Sequence, residues 1–357
     1  MPLTCSALFA VLIVKLAVPL IKRISAPLLP TVILFSTLLV AGCSSNPVLV
    51  DALLTDHTLS TAAELQGLAH FPQQDNQCGP ASLATMLAYN NISVRPEALR
   101  PYLYIPDKQG TLAIELEAKA RQYGLIVYPL EPQLKFILRE LDAGHPVLVM
   151  QNLGFSWFPQ WHFAVAIGYD LDAQQIYLRS GPDKRYPTDL SLFLKTWNRA
   201  NNWARVILPT NRFPATVDQQ RYVKAANTLE QLGVNNATLT TSAFEAYQTT
   251  LKRWPRNTAA LMGLGNISYA RQEYNSAVDY YIRYIEKSVA PEAGWNNLSY
   301  ALMQTGCIEA ALKSVRCAIS IAPDQANYQN SLAELSSISG QKNTAKNCEL
   351  PICITSE

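Results

Sequence analysis

A thiol at the start of a helix is a candidate nucleophile, and Cys78 occupies such a place. It stands in the run Phe71-Pro72-Gln73-Gln74-Asp75-Asn76-Gln77-Cys78-Gly79-Pro80-Ala81-Ser82-Leu83-Ala84. Proline favours the first helical position, where no amide donor is needed, so a helix is predicted from Pro80 to Tyr89 with Cys78 at its N-terminus. There the helix dipole and the unpaired amides favour a thiolate, the form that attacks carbonyl carbon. The same amides can hold a tetrahedral oxyanion.

A cysteine nucleophile needs a base, and the chain has four histidines. His57 falls in a polar leader, His70 lies eight residues before the cysteine, and His145 sits in a Gly-His-Pro turn. His162 opens an apolar run, Phe163 to Tyr169, that reads as a strand. A strand end is rigid enough to hold an imidazole against a distant helix terminus, which selects His162.

These residues need a scaffold. Further helices are predicted over Thr111–Tyr123 and Gln133–Asp142, whose apolar residues recur at helical spacing. Strands are predicted at Val147–Met150, Phe163–Tyr169, Ile176–Leu178 and Trp203–Leu208. Helices first and clustered strands later indicate an α+β domain. After a polar link, Ala243, Ala277 and Ala311 recur at a period of 34. Leu264-Gly265, Leu298-Ser299 and Leu332-Ala333 keep the same period, and Tyr247, Tyr281 and Val315 follow each alanine by four. This is the pattern of tetratricopeptide repeats, an all-α solenoid that forms concave docking surfaces. Tyr280, Tyr281 and Tyr284 suit either the groove or, more simply, the helix-pair core.

Residues 71–209 resemble the bacteriocin-processing cysteine peptidases, family 39 of that catalytic type within the papain-like group. The motifs are Gln73, Cys78-Gly79-Pro80-Ala81, Gly144-His145-Pro146-Val147, Trp161-His162-Phe163-Ala164-Val165 and Gly168-Tyr169-Asp170. The chain also resembles lipoproteins that join such a domain to tetratricopeptide repeats. The resemblance implies Cys78 as nucleophile, His162 as general base and Gln73 as an oxyanion-hole amide, with Gln74 and Gln77 as rival amides. These peptidases usually carry Asp-Pro after the strand that follows the histidine strand. Here that slot reads Arg179-Ser180-Gly181-Pro182-Asp183. Ser180 therefore stands as the orienting residue, with Asp183 three residues on. A hydroxyl can accept the imidazole N–H but does not neutralise imidazolium.

The 13 residues from Leu28 to Val40 are uncharged, follow Lys22 and Arg23, and precede Leu39-Val40-Ala41-Gly42-Cys43. The order is that of a secretory signal, and its end resembles a bacterial lipobox. It implies cleavage after residue 42, lipid on Cys43 and, because Ser44 follows, the periplasmic face of the outer membrane. The organisation expected is a signal over 1–42, a tether over 43–66, a papain-like domain over 67–210 and a linker over 211–220. Repeats with a capping helix fill 221–340, and a tail fills 341–357.

The chain of 357 residues carries 29 basic and 27 acidic side chains. Without the first 42 residues, which hold three basic groups and no acid, the balance is 26 to 27. So neutral a chain argues against nucleic acid as a partner. Seven cysteines are too few for a disulfide scaffold. Cys307 and Cys317 are too far apart along a helix to bond to each other, so they are expected to pair with Cys348 and Cys353 in the tail, or the tail pair with itself. Their spacing does not suit zinc.

The resulting expectation is a cofactor-free, metal-free, lipid-anchored cysteine peptidase acting on peptide or protein through a thioester, with a partner held on the repeats. A silent adaptor, and an amidase or acyl transferase on the same fold, are the alternatives.

Overall fold

The central strand is the most apolar segment of the α+β domain. Strand β4 (Trp161–Asp170) alternates Phe163, Val165 and Ile167 toward one face with Ala164, Ala166 and Tyr169 toward the other. Both sets are buried, so both faces must be covered. The computed structural model describes residues 58–72, 77–108, 110–338 and 348–353.

Around β4 lie β1 (Ala62–Glu64), β2 (Ile126–Pro129), β3 (Val147–Asn152), β5 (Gln175–Ser180), β6 (Asp183–Asp189) and β7 (Ala204–Leu208). The sheet order is β2-β7-β3-β4-β5-β6, and every pairing is antiparallel. β3 meets β4 only as far as Val147 against Ala166. β1 fills the remaining length, Glu64 against Gly168. Gly168 is required there: a Cβ would lie 2.5 Å from the Ala63 carbonyl oxygen.

One face is covered by α1 (Cys78–Tyr89), α2 (Pro96–Leu103) and α3 (Ala113–Gln122). The other is covered by α4 (Leu134–Asp142) and α5 (Leu190–Asn198), then by the first repeat helices. These are α6 (Gln219–Leu232), α7 (Ala237–Arg253) and α8 (Thr258–Ala270). The array ends with α9 (Tyr274–Lys287), α10 (Glu292–Gln304), α11 (Ile308–Ile321) and α12 (Ala326–Ile338). The fold is therefore an α+β sheet domain followed by an all-helical array.

The 34-residue period has a steric basis. Ala243, Ala277 and Ala311 are fully buried where helices cross. A Cβ on Gly263 would lie 2.2 Å from the Tyr247 ring, and one on Gly265 would lie 2.4 Å from Tyr281. The small residue admits the large one. Tyr281 is core, and Tyr280 packs edge-on to Phe244, so neither is a free groove aromatic.

Four expectations need correction. The helix begins at Cys78 and not Pro80, because Gln77 already accepts the first helical bond, from the Ala81 amide. Pro80 is its third residue, where a missing donor still costs nothing. The stretch 43–66, read as tether, contributes β1. The link at 211–220 is fastened: the amides of Ala215 and Thr216 donate to Glu140, and Asp218 N–H donates to Tyr128 Oη. Helix α6 then starts at Gln219 and shares its apolar cluster with the sheet. Besides β1, four elements were not foreseen, α2, β2, β6 and α5, the last capped by Asp189.

Both tail cysteines pair with the array, Cys307 with Cys348 and Cys317 with Cys353, at Cα separations of 5.8 and 5.9 Å.

Candidate active site

Cys78 is the first residue of α1, and the eight residues from Gly79 to Met86 are all buried. That burial comes from Leu83, Met86 and Leu87 packing on the sheet face that carries Phe163. The helix is thus seated by its own apolar side chains. Gly79 is fixed by sterics. A Cβ there would lie 2.5 Å from Thr111 Oγ1, so Thr111 lies directly over the first turn. Thr111 was not singled out from sequence, and its Oγ1 is buried without a hydrogen-bond partner among the described residues.

Burial pushes the Cys78 thiol above its ordinary value. The amides of Phe163, Gly79 and Cys78 itself act in the opposite direction but do not overcome it. This corrects the expectation of a ready thiolate: removing a sulfur from water outweighs a few amide dipoles.

His162 is half-buried on β4, opposite Gln151 of β3. Its Nε2 lies 2.8 Å from Ser180 Oγ at the end of β5. Burial lowers its pKa, so the neutral ring is favoured. Asp183 stands across the turn from Ser180 as its register partner and is exposed.

The other candidates fall elsewhere. His145 is buried, with Nδ1 2.8 Å from Glu140 Oε2 and Nε2 3.3 Å from Arg212 Nη2. Its neighbour Gly144 accepts a bond from Tyr89 Oη, at the C-terminal end of α1. That end lies eleven residues along the helix from Cys78, about 16 Å. His70 Nε2 lies 3.1 Å from the Pro182 carbonyl oxygen, on the turn after Ser180. Gln77 is the residue preceding α1 and makes no capping bond with its side chain. Gln73, Gln74, His57 and Cys43 lie outside the described residues.

Chemically, the described parts of the site are a part-buried thiol at a helix start, an imidazole held by a hydroxyl, and the amides of that helix start. No group of His, Cys, Asp and Glu among the described residues is arranged to hold a metal ion.

Residues 65–204 match the Peptidase_C39 like family. A C39-like peptidase from Bacillus anthracis aligns at 16% identity, covering 41% of this chain and 96% of that one, with a TM-score of 0.35. A double glycine motif protease from an AMS/PCAT transporter, solved with its leader peptide, aligns at 21% identity over 41% of this chain and 96% of that one, TM-score 0.32. MamA aligns at 19% identity, covering 34% of this chain and 64% of its own, TM-score 0.31. No curated protein matches the chain. Residues 65–204 are thus similar to the C39-like peptidase family, and the helices that follow keep the 34-residue period read from the sequence.

Proposed function

We propose that this chain is an exported, lipid-anchored cysteine peptidase. Cys78 is its nucleophile, His162 its general base and Ser180 the residue that orients the imidazole. The observation that carries the reading is the position of Cys78 at the start of a helix packed on β4, the strand that also carries His162, whose Nε2 lies 2.8 Å from Ser180 Oγ. With Nε2 committed to Ser180, Nδ1 is the nitrogen that exchanges a proton with the thiol.

In this mechanism the thiol proton passes to Nδ1 as sulfur attacks the scissile carbonyl. The Cys78 and Gly79 amides, with Gln73, hold the oxyanion. Its collapse breaks the C–N bond, and the imidazolium protonates the departing amine. Water, deprotonated by His162, then cleaves the thioester. Lipid on Cys43 places the enzyme on the periplasmic face of the outer membrane. The repeats hold a protein partner: adjacent cavities of about 380 and 530 Å³ share Asn266, the smaller lined by asparagine and tyrosine and the larger by a mixture that includes Lys224 and Glu230.

A peptide library incubated with the full chain tests this. New amino termini that appear with wild type, and not with Cys78→Ala or His162→Ala, are expected. A second reading, a silent adaptor, is favoured by the serine at position 180 together with the raised thiol pKa. Cleavage absent from every preparation, with Cys78→Ala still retaining a partner, selects the adaptor.

A further inference from the structure

Between β3 and β4 the chain turns through Leu153-Gly154-Phe155-Ser156-Trp157-Phe158-Pro159-Gln160-Trp161, nine residues without one ionisable group. Its large apolar side chains face outward. Trp157 is 82% exposed, and Leu153, Phe155, Phe158 and Trp161 are each at least half exposed. Isolated exposed apolar residues need no explanation, but five in one hairpin do.

The exposure is built into the fold. Asn152 Oδ1 accepts from the amides of Gly154 and Gln160, and its Nδ2 donates to the Phe155 carbonyl. Phe155 and Phe158 exchange backbone bonds, and Arg199 donates to the Gly154 carbonyl. Phe155 and Trp157 stack with centroids 5.6 Å apart and planes 9° off parallel. The hairpin is thus pinned at its base and splinted at its tip, with its rings held away from the core. Such exposure describes a projecting tip; a groove would shield the residues that line it.

We propose that this hairpin is a second membrane contact, seating its rings at the headgroup–acyl boundary beside the lipid on Cys43. The inference rests on the lipid-anchored reading above. An uncharged tip with two Trp and two Phe has the composition preferred at that boundary. Reach permits it. The 15 residues from Cys43 to Thr58 extend at most about 50 Å. β1 joins the sheet at Asp170, and the hairpin lies nine residues away along β4, about 30 Å. A lipid at the end of that tether can therefore share a bilayer with the tip. The catalytic helix start would then face the membrane surface, and the substrate class would be peptide segments lying at that surface.

The test uses the full lipidated chain with phosphatidylethanolamine–phosphatidylglycerol vesicles whose acyl chains carry bromine. Two readouts are taken: co-sedimentation for the anchor, and quenching of tryptophan emission for the hairpin. Two of the six tryptophans are on the hairpin, so quenching of about a third of the emission is expected. Trp157→Ala, which leaves one hairpin tryptophan of five, should lower that fraction to about a fifth. Sedimentation without quenching overturns the hairpin proposal and leaves the lipid anchor standing. Quenching unchanged in Trp157→Ala also overturns it. So does a wild-type blue shift produced by an apolar peptide without any lipid quenching, which assigns the tip to protein docking. A chain that neither sediments nor is quenched overturns both readings.

Discussion

Replacing Ser180 by aspartate places a carboxylate where a hydroxyl now lies 2.8 Å from His162 Nε2. Two unit charges 4 Å apart attract by about 4 kcal/mol at an effective dielectric of 20. Partial exposure and salt reduce that by roughly a third to two-thirds. The remaining 1.4–2.7 kcal/mol, roughly, raises the imidazole pKa by about one to two units. Because the imidazolium stabilises the thiolate beside it, the thiolate fraction at neutral pH rises about 10–100-fold. A thiolate of lower pKa is intrinsically less reactive, with a slope of about 0.4–0.5, so the net gain in alkylation rate is about 3–10-fold. The assay is the rate of iodoacetamide labelling of Cys78 from pH 5 to 10, read by peptide mass. Wild type should label slowly at neutral pH and accelerate beyond the ordinary cysteine range, since burial raises the thiol. Ser180→Asp should move the profile to lower pH. In the double variant His162→Ala/Ser180→Asp the sign should reverse, because a bare carboxylate disfavours the thiolate. A Ser180→Asp profile that superimposes on wild type, or a gain that survives loss of His162, refutes the reasoning.

Two further outcomes follow from the packing. Burial opposes ionisation of Glu140, but bonds from His145, Thr216 and Ala215 outweigh it and hold its carboxyl below the usual range. A lowered carboxyl stabilises the fold above its unfolded pKa and loses that contribution as pH falls through the folded value. Glu140→Gln should therefore cost about 2–4 kcal/mol by urea denaturation at pH 7, the price of unpaired donors in a buried site, and the difference should shrink below about pH 4. Gly263→Ala should lower the melting temperature despite better helix propensity: that gain is about 1 kcal/mol, whereas forcing a methyl against the Tyr247 ring costs about 1–3.

The parts of the fold legible in sequence are those where one physical signal dominates. β4 shows itself as an uncharged run, and the repeats by paired small and large residues at a fixed period. β6, Asp183–Asp189, carries Lys184, Arg185 and Pro187 and is almost wholly exposed, as an edge strand must be, so it lacks any apolar alternation. β1 is three residues long and is a strand only because β3 stops short of it. Helix α5 carries signals readable in the sequence, the Asp189 cap and Leu190, Phe193 and Trp197 on one face.

The site divides in the same way. The placing of Cys78 at a helix start and of His162 on a strand is legible, because Gly79-Pro80 and the apolar run after His162 mark those elements. The resting ionisation is not, because it depends on how deeply the sulfur is covered, and the covering residues come from distant segments, Phe163 among them. Thr111 is equally hidden: its role is visible only as the missing Cβ of Gly79.

The account turns on Cys78 and His162 working as a single proton-transfer pair. The most direct measurement is the neutral-pH alkylation rate of Cys78 in wild type and His162→Ala, each checked for an intact fold by circular dichroism. The account predicts at least a ten-fold slower rate without the imidazole. Equal rates would contradict it and leave Cys78 an ordinary buried thiol.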